Sequence, residues 1–276
     1  MALTDNIVSY YKLDGAAGAV VDSAGSNDGT NNGATRSETG KIGDCFRFDY
    51  PNHISVGYSD TLVIDGDITM TAWINMDASS ENVALMCWKY GDTGPEYNTM
   101  FYWGKMGTGQ IRAIHEYGNG TNQESRTVGT NYLTHSGWQF ICITRDTTAK
   151  NYKFYVDGDY KETISYNTNP EKAASGNQQV LSICHNWPDL VDEVGIWGRA
   201  LTAEEVTELY NSGDGLTYPF GTPPDPDPIA APTTSGTVQE GAGGIGPRYI
   251  ATRYPATEGL IAGSTKQTGS GILEEE

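Results

Sequence analysis

The chain has 276 residues, 37% hydrophobic and 19% charged, and its 17 basic and 35 acidic side chains give a net charge of −18. This length allows one large all-β domain or two smaller ones, and the 34 glycines and 17 tyrosines suit many short strands joined by turns. The acidic balance argues against nucleic-acid binding, the apolar runs are too short for a membrane span, and the first residues predict no secretory signal.

Short runs of alternating apolar and polar residues predict a series of strands. In chain order they cover residues 7–13, 41–49, 53–56, 67–75, 83–90, 100–103, 110–117, 124–128, 137–145, 151–156 and 180–185. A loop rich in Gly, Ser, Asn and Asp spans residues 14–35. Asp157-Gly158 predicts a two-residue hairpin, because both central residues of such a turn need a positive φ.

Residues 190–215 predict a strand, a break at Gly198-Arg199 and a short helix. Period-two alternation puts adjacent side chains on opposite faces of the strand. One face then carries Leu190, Asp192, Val194 and Ile196, and the other carries Val191, Glu193 and Gly195. Thr202 and Glu205 have the spacing of a capping box at the start of the helix, and Gly213 is expected to end it.

The run Asp-Glu-Val-x-Ile-Trp-x-Arg-Ala-Leu-Thr-x-Glu-Glu-Val at residues 192–206 resembles the closing signature of laminin-G-like, concanavalin A-like jelly rolls. The order GKIG, FRFD, ISVG and DITMTAWI between residues 40 and 74, and YVDG at residues 155–158, resemble the same family. The resemblance implies an all-β, two-sheet antiparallel jelly-roll sandwich with one short C-terminal helix. It extends over about residues 7–221, so we assign residues 1–221 to this domain.

The composition changes after the predicted jelly roll. Residues 222–235 begin with TPPDPDPIAA and should form an extended, Pro-rich linker. Residues 236–276 contain few large apolar side chains and cannot form a core of their own. We therefore expect an extended tail that is ordered by a partner chain. Its short apolar spots are candidate partner contacts: Tyr249, Ile250, Tyr254, Leu260 and Ile261.

Catalysis is the sharpest alternative function for this type of fold. A retaining glycosidase needs two carboxylates about 5–5.5 Å apart on one face. Asp192 and Glu193 are adjacent and are expected to point to opposite faces, and no E-x-D-x-E run occurs. Residues 33–41 have six residues between two glycines instead of the four of a phosphate-binding loop. We therefore expect no enzymatic activity.

Calcium is the cofactor that the resemblance implies. Hard cations bind several carboxylate and carbonyl oxygens, and the resemblance places a structural calcium at Asp22, Asn27 and Asp192. A solvated Asx-rich turn is the alternative. A melting temperature that EDTA leaves unchanged would contradict the calcium site.

A sugar-binding surface would need exposed aromatic side chains on loops. The candidates are Tyr97, Tyr102, Trp103, Tyr117 and Trp187. Packing within the sandwich is the alternative for each of them.

Four cysteines, Cys45, Cys87, Cys142 and Cys184, lie inside hydrophobic runs and lack the CxxC spacing of a zinc site. Buried thiols in a reducing compartment and two disulfides both remain open.

The sequence favours a non-enzymatic structural and adhesive protein that displays a lectin-like jelly roll on a larger assembly, with the tail as anchor. The favoured assembly is a bacteriophage virion, in which the protein is an oligomeric capsid or tail decoration assembled in the host cytoplasm. One alternative is a carbohydrate-binding module of an exported bacterial protein, located outside the cell or at its surface. Another is a glycoside hydrolase or lyase.

Overall fold

Two layers of antiparallel strands form the body of the protein. The computed structural model describes residues 1–49, 51–76, 83–90, 100–104, 109–117, 122–128, 132–134, 137–171, 179–185 and 189–221. In chain order the elements are β1 Ile7–Tyr11, β2 Gly29–Asn32, β3 Thr35–Thr39, β4 Asp44–Phe48, β5 His53–Val56, β6 Ile68–Met76, β7 Val83–Tyr90, β8 Met100–Gly104, β9 Gln110–Tyr117, β10 Asn122–Thr127, β11 Trp138–Asp146, β12 Asn151–Val156, β13 Asp159–Ser165, β14 Gln179–His185, β15 Asp189–Trp197 and α1 Ala203–Tyr210. The predicted all-β sandwich with a short helix near its C-terminal end is confirmed.

The strands form two sheets. Sheet I has the order β13-β12-β11-β6-β15-β4-β3, with β1 also paired to β15, and sheet II has the order β10-β9-β8-β7-β14-β5-β2. Strands β7 to β10 form a meander of sequence neighbours, whereas β15 lies between strands from much earlier in the chain. The predicted closing strand therefore inserts into the body of sheet I.

The alternation of β6 explains the core between the sheets. Ile68, Met70, Ala72 and Ile74 are at most 1% exposed, and they join one hydrophobic cluster with sheet II residues such as Ile183. Burial of each Ile or Met side chain among them contributes about 1.5–3 kcal/mol, so this strand is a major source of the stability of the sandwich.

A second apolar layer covers the outer face of sheet I. Trp73, Phe140 and Trp197 pack there against Val206 and Leu209 of α1, which explains why β11 and β15 are apolar on both faces. Other members of this outer layer come from the two ends of the jelly roll: Leu3, Tyr10, Leu216, Tyr218 and Phe220.

The capping box of α1 forms as predicted. The Glu205 N–H donates to Thr202 Oγ1 at 3.3 Å, and Glu205 Oε2 accepts the Thr202 N–H at 2.8 Å. The predicted stop at Gly213 is wrong, because Asn211 adopts the left-handed conformation that ends the helix. Asn tolerates this conformation better than most residues, so the helix ends two residues earlier.

The predicted loop at residues 14–35 is too long, since it contains β2 and the first residue of β3. Both strands are polar, with the sequences GTNN and TRSET, and therefore lack the apolar alternation that reveals the other strands. The Asp157-Gly158 hairpin is confirmed, with φ of 53° and 75° at its two residues. It joins β12 to β13, a strand that was not predicted separately.

Cys45 and Cys142 are buried free thiols, which agrees with the thiol interpretation at these two positions. The Cys87 side chain is not described. The predicted linker and the tail residues Tyr249, Ile250, Tyr254, Leu260 and Ile261 lie outside the described ranges, so their roles stay predictions. In the part of the chain that the structure describes, no helix is both long and apolar enough to cross a membrane.

A polar cluster connects the two sheets at His115. His115 is fully buried, its Nε2 lies 2.7 Å from the Thr168 carbonyl, and its Nδ1 lies 2.6 Å from the Tyr152 hydroxyl. A carbonyl can only accept, so Nε2 carries the hydrogen and Nδ1 accepts from Tyr152. With a neutral imidazole, the hydrogen bond between β9 and β12 thus runs from the Tyr152 hydroxyl to Nδ1.

Acid is expected to destabilise this cluster. Burial lowers the pKa of His115 to about 4, and the Arg145 guanidinium adds to the shift. Between pH 6.5 and 4 the unfolded chain binds a proton that the folded protein does not. The contribution of His115 to the free energy of unfolding is therefore complete above pH 6.5 and is lost as the pH drops toward 4. The loss amounts to roughly 3 kcal/mol, at about 1.4 kcal/mol per pKa unit.

Urea unfolding of the wild type and His115→Gln between pH 7 and 4 measures this loss. The glutamine amide can accept from Tyr152 and donate to Thr168, so the wild type should lose roughly 3 kcal/mol of stability relative to His115→Gln as the pH drops from 7 to 4. His53→Gln, which changes a histidine outside the interior, should leave the profile unchanged. Parallel profiles for the wild type and His115→Gln would contradict the assignment.

Candidate functional site

The 14–28 loop is fixed by the carboxylate of Asp22, which is 4% exposed. Its Oδ1 accepts the N–H groups of Tyr10, Ala24 and Gly25 at 2.9, 3.2 and 3.0 Å, and Oδ2 accepts that of Asn27 at 3.0 Å. Hydrogen bonds to an ionised acceptor are roughly twice as strong as neutral ones. Asp22 therefore holds the loop against β1.

Asn27 ties the same loop to the turn that follows β5. Its Nδ2 donates to Ser9 Oγ at 2.9 Å and to Thr61 Oγ1 at 3.1 Å. Its backbone carbonyl accepts a hydrogen bond from the Tyr11 hydroxyl at 2.7 Å. Asn27 is 7% exposed, so these bonds are largely shielded from water. The loop and the turn thus form one pre-organised unit.

Asp192 faces a different part of the chain. Its Oδ2 accepts the N–H groups of Lys41 and Ile42 at 2.8 and 3.0 Å, and its Oδ1 accepts that of Glu193 at 2.9 Å. The three residues predicted to bind calcium thus all hydrogen-bond to the protein itself. Among the described residues, no three His, Cys, Asp or Glu side chains are grouped so as to hold a metal. Calcium binding by Asp22, Asn27 and Asp192 stays a prediction.

The predicted alternation of β15 is wrong beyond Asp192. The register against β6 shifts between Asp192 and Gly195, and Glu193 adopts a left-handed backbone with φ of 50°. This is a β-bulge, in which one strand carries extra residues opposite its partner. Val191 and Val194 consequently both belong to the inner core, although they are three positions apart in the chain.

The bulge brings Asp192 and Glu193 to the same side of sheet I. Asp192 pairs with Trp73 of the outer layer, and residues paired directly across strands share a face. The hydroxyls of Tyr10 and Thr217 lie near the Glu193 carboxylate, yet within the described ranges neither of its oxygens has a hydrogen bond of good geometry. The expectation that the two carboxyls point in opposite directions is therefore corrected.

Both carboxyls are nevertheless closed off from solvent, with exposures of 0% for Asp192 and 1% for Glu193. Burial raises the pKa of Asp192, against the effect of its N–H donors, and raises the pKa of Glu193 to about 7. The raised pKa values follow from packing under the outer layer.

Two open hollows border the 14–28 loop. The first has a volume of about 240 Å³ and is lined mainly by apolar groups of the loop, with Lys12, Asp14, Arg36 and Phe46 among its walls. Arg36 donates to the carbonyls of Gly15 and Gly18 at 2.7 Å each and lies 4.7 Å from the Phe46 ring centroid. Arg36 thus stabilises the conformation of the loop through these two hydrogen bonds.

The second hollow also has a volume of about 240 Å³ and is predominantly polar. It lies between residues 26–28 of the loop and residues 56–59 after β5. Tyr58 stands at its wall with 40% of its surface exposed. Tyr58 was not predicted as a site residue, although an aromatic residue in the polar turn Gly57-Tyr58-Ser59-Asp60 is a recognisable signal.

The predicted sugar-binding aromatics do not form a described cluster. Tyr97 and Trp187 lie outside the described residues, and so do the side chains of Tyr102 and Trp103. The backbone of Tyr102 pairs with Arg112 and that of Trp103 with Ile111, while Tyr117 is half-buried at the end of β9. Their glycan role stays a prediction.

These features define a lectin-like jelly roll with a pre-organised loop end. The family model for the concanavalin A-like lectin/glucanases superfamily matches residues 49–207, which is more than half of the chain. The chain therefore belongs to this superfamily. No curated protein matches the sequence.

Solved structures of similar fold include the binding domains of Paraclostridial Mosquitocidal Protein 1 and of botulinum neurotoxins. That of Paraclostridial Mosquitocidal Protein 1 is 17% identical with a TM-score of 0.61, over 76% of this chain and 53% of that one. That of botulinum neurotoxin serotype D is 14% identical with a TM-score of 0.57, over 75% and 52%. That of botulinum neurotoxin DC, solved with SialylT and with rat synaptotagmin II, is 10% identical with a TM-score of 0.57, over 76% and 52%. This chain spans about half the length of these solved binding domains, and the similarity shows the fold.

Proposed function

We propose that this chain is a non-enzymatic adhesive protein that recognises a glycan or a protein receptor through the loop end of its lectin-like jelly roll. The observation that carries the proposal is the 14–28 loop, which Asp22 fixes through four N–H groups and which borders both open hollows. A concave surface that is already ordered loses little conformational entropy on binding.

Two further observations support this function. The superfamily includes lectins by its description, and the similar solved structures are binding domains, one of them solved with SialylT and with rat synaptotagmin II. The burial of Asp192 and Glu193 supports the non-enzymatic part, because a catalytic carboxyl must come within hydrogen-bond reach of its substrate.

Display on a bacteriophage virion is the more specific part of the proposal. It rests on the sequence, in which a Pro-rich linker leads to a tail without a core of its own at residues 236–276. The alternative, a carbohydrate-binding module of an exported bacterial protein, would use the same loop end. A chain that ends at Gly221 and still joins the assembly at full occupancy would contradict the anchoring role.

The full chain on a glycan array, together with a panel of soluble polysaccharides assayed for cleavage products, tests the proposed function. We expect retention on a subset of glycans and no products. Released products would contradict the non-enzymatic part and favour a glycoside hydrolase or lyase. Retention by no glycan and by no receptor-bearing cell surface would contradict recognition.

A further inference from the structure

The polar hollow beside Tyr58 has the features of a built ligand site. Its walls are tied together by hydrogen bonds, because Asn27 holds Thr61, and the Thr61 hydroxyl lies 2.8 Å from the Ser59 hydroxyl. Ser26 and Asp28, on the other wall, are exposed neighbours of Asn27. The hollow therefore exists before any ligand binds.

Tyr58 offers an aromatic surface to this hollow. Its hydroxyl donates to Asp60 Oδ1 at 2.6 Å, which restrains the ring while 40% of the residue stays exposed. An aromatic ring combines an apolar face with little conformational freedom to lose on binding. The apolar C–H face of a sugar ring is a matching partner for such a surface.

The remaining groups of the hollow suit hydroxyl recognition. The Ser26 and Ser59 hydroxyls can donate and accept, and a carboxylate accepts through two oxygens. Asp28 Oδ1 already accepts the Asp22 N–H at 2.8 Å, which orients the carboxylate. Because Asp28 is exposed, its second oxygen can accept a ligand hydroxyl. A polyol presents several donors and acceptors at once, as this lining requires.

The charge of the hollow restricts the ligand further. None of its described lining residues is basic, Asp28 is acidic, and Asp60 lies within hydrogen-bond distance of Tyr58. A ligand carboxylate would be repelled by these groups without compensation. The volume of about 240 Å³ is below the range of about 300–1,000 Å³ typical of sites for drug-sized ligands, so one sugar ring is the expected occupant.

We propose that this hollow is a saccharide site for a single uncharged pyranose ring, with Tyr58 as the stacking surface and Asp28 as the hydroxyl acceptor. The proposal rests on the recognition function above and assigns its location and ligand class. The proposed site is distinct from the aromatic residues of β8 and β9 that the sequence predicted to bind sugar.

Two variants test the site by different means. Tyr58→Ala removes the stacking surface. Gly57→Leu blocks the hollow instead, because a Cβ added at Gly57 meets no atom within 4 Å and the fold has room for the new side chain. Tyr160→Ala is the matched control, since Tyr160 is 54% exposed but lies on β13, away from the residues that line the hollow.

Binding of the full-length chain to methyl glycosides of glucose, galactose, mannose and N-acetylglucosamine is measured by ligand-observed NMR, beside glucuronate and N-acetylneuraminate. We expect at least one neutral glycoside to bind, both variants at the hollow to weaken it by tenfold or more, and Tyr160→Ala to leave it unchanged. Equal binding of the two anionic sugars would overturn the ligand class. If the array glycans are retained equally by Tyr58→Ala and Gly57→Leu, the site is overturned while the recognition function stands. If no glycan or receptor binds the wild type, both fail.

Discussion

Replacing Asp22 by alanine is expected to lower the free energy of unfolding by about 3–5 kcal/mol, a large effect for a single polar substitution. The four N–H groups of Tyr10, Ala24, Gly25 and Asn27 would lose their common acceptor. Asp22→Asn should cost about half as much, because one oxygen remains while the amide group faces N–H donors. Urea unfolding at pH 7 measures both changes.

Asp65→Ala provides the control, since Asp65 is an exposed loop aspartate and its loss should change stability by less than about 0.5 kcal/mol. Repeating the series in EDTA distinguishes the two possible roles of Asp22, as an acceptor of N–H groups and as a calcium ligand. If N–H groups are its partners, the difference between the wild type and Asp22→Ala is the same in both buffers. A difference that shrinks in EDTA would instead support the predicted calcium.

Glu193→Gln is expected to stabilise the protein, in contrast to most substitutions of a buried polar residue. Burial raises the pKa of Glu193 from 4.5 to about 7, so the folded state binds a proton that the unfolded state has released. The contribution of the protonated Glu193 to the free energy of unfolding is fully present below pH 4.5 and is lost as the pH rises through 7. At pH 8 the ionised group costs roughly 3 kcal/mol, which a neutral amide avoids.

Asp192→Asn makes the same acid-to-amide change at the neighbouring position, but it should destabilise by about 1–3 kcal/mol. The Asp192 carboxylate accepts three N–H groups through both oxygens, and an amide would turn a donor toward at least one of them. Among the described residues Glu193 has no comparable donors, and an amide there can donate to the nearby hydroxyls of Tyr10 or Thr217. Opposite signs for two equivalent acid-to-amide substitutions are therefore the expected result.

Thermal and urea unfolding of both variants between pH 5 and 8 checks this pair of predictions. Glu208→Gln, on the exposed side of α1, is the control for a general change in net charge, and it should follow the wild type. A Glu193→Gln protein that loses stability with rising pH as steeply as the wild type would contradict the assignment.

Much of this fold could be predicted because local and tertiary preferences agree. The apolar alternation of β6, the capping box at Thr202 and the Asp157-Gly158 hairpin each use a signal carried by the residues themselves. The polar strands β2 and β3 carry no such signal, since they are held in place by their pairing with β5 and β4.

The bulge in β15 depends on packing that a strand pattern does not contain. A Cβ at Gly195 would lie 2.5 Å from the Trp197 ring and 2.9 Å from Thr71 Oγ1, so the outer layer requires glycine at that point. Glu193, a residue with no special preference for positive φ, absorbs the shift. The face that each carboxyl occupies is therefore decided by contacts with β6 and the outer layer.

The candidate site was predicted in part. The 14–28 loop and its residues Asp22 and Asn27 stand out because Asx-rich loops bind through oxygens, but the sequence does not distinguish an oxygen that accepts N–H groups from one that binds an ion. Tyr58 was missed because its signal lies in the polar turn around it, while residue type alone does not separate it from buried tyrosines such as Tyr10 and Tyr11.

The outer layer on sheet I has a consequence for how this domain can be joined to others. The Trp197 indole N–H donates to the Leu3 carbonyl at 2.7 Å, and Arg199 donates to the carbonyls of Ala2 and Asp5. Leu216 and Phe220 pack into the same layer, so the chain enters and leaves the sandwich on one face. Such a domain can be spliced into a surface loop of a host protein through two short tethers. Both tethers then attach at sheet I, and sheet II carries neither of them.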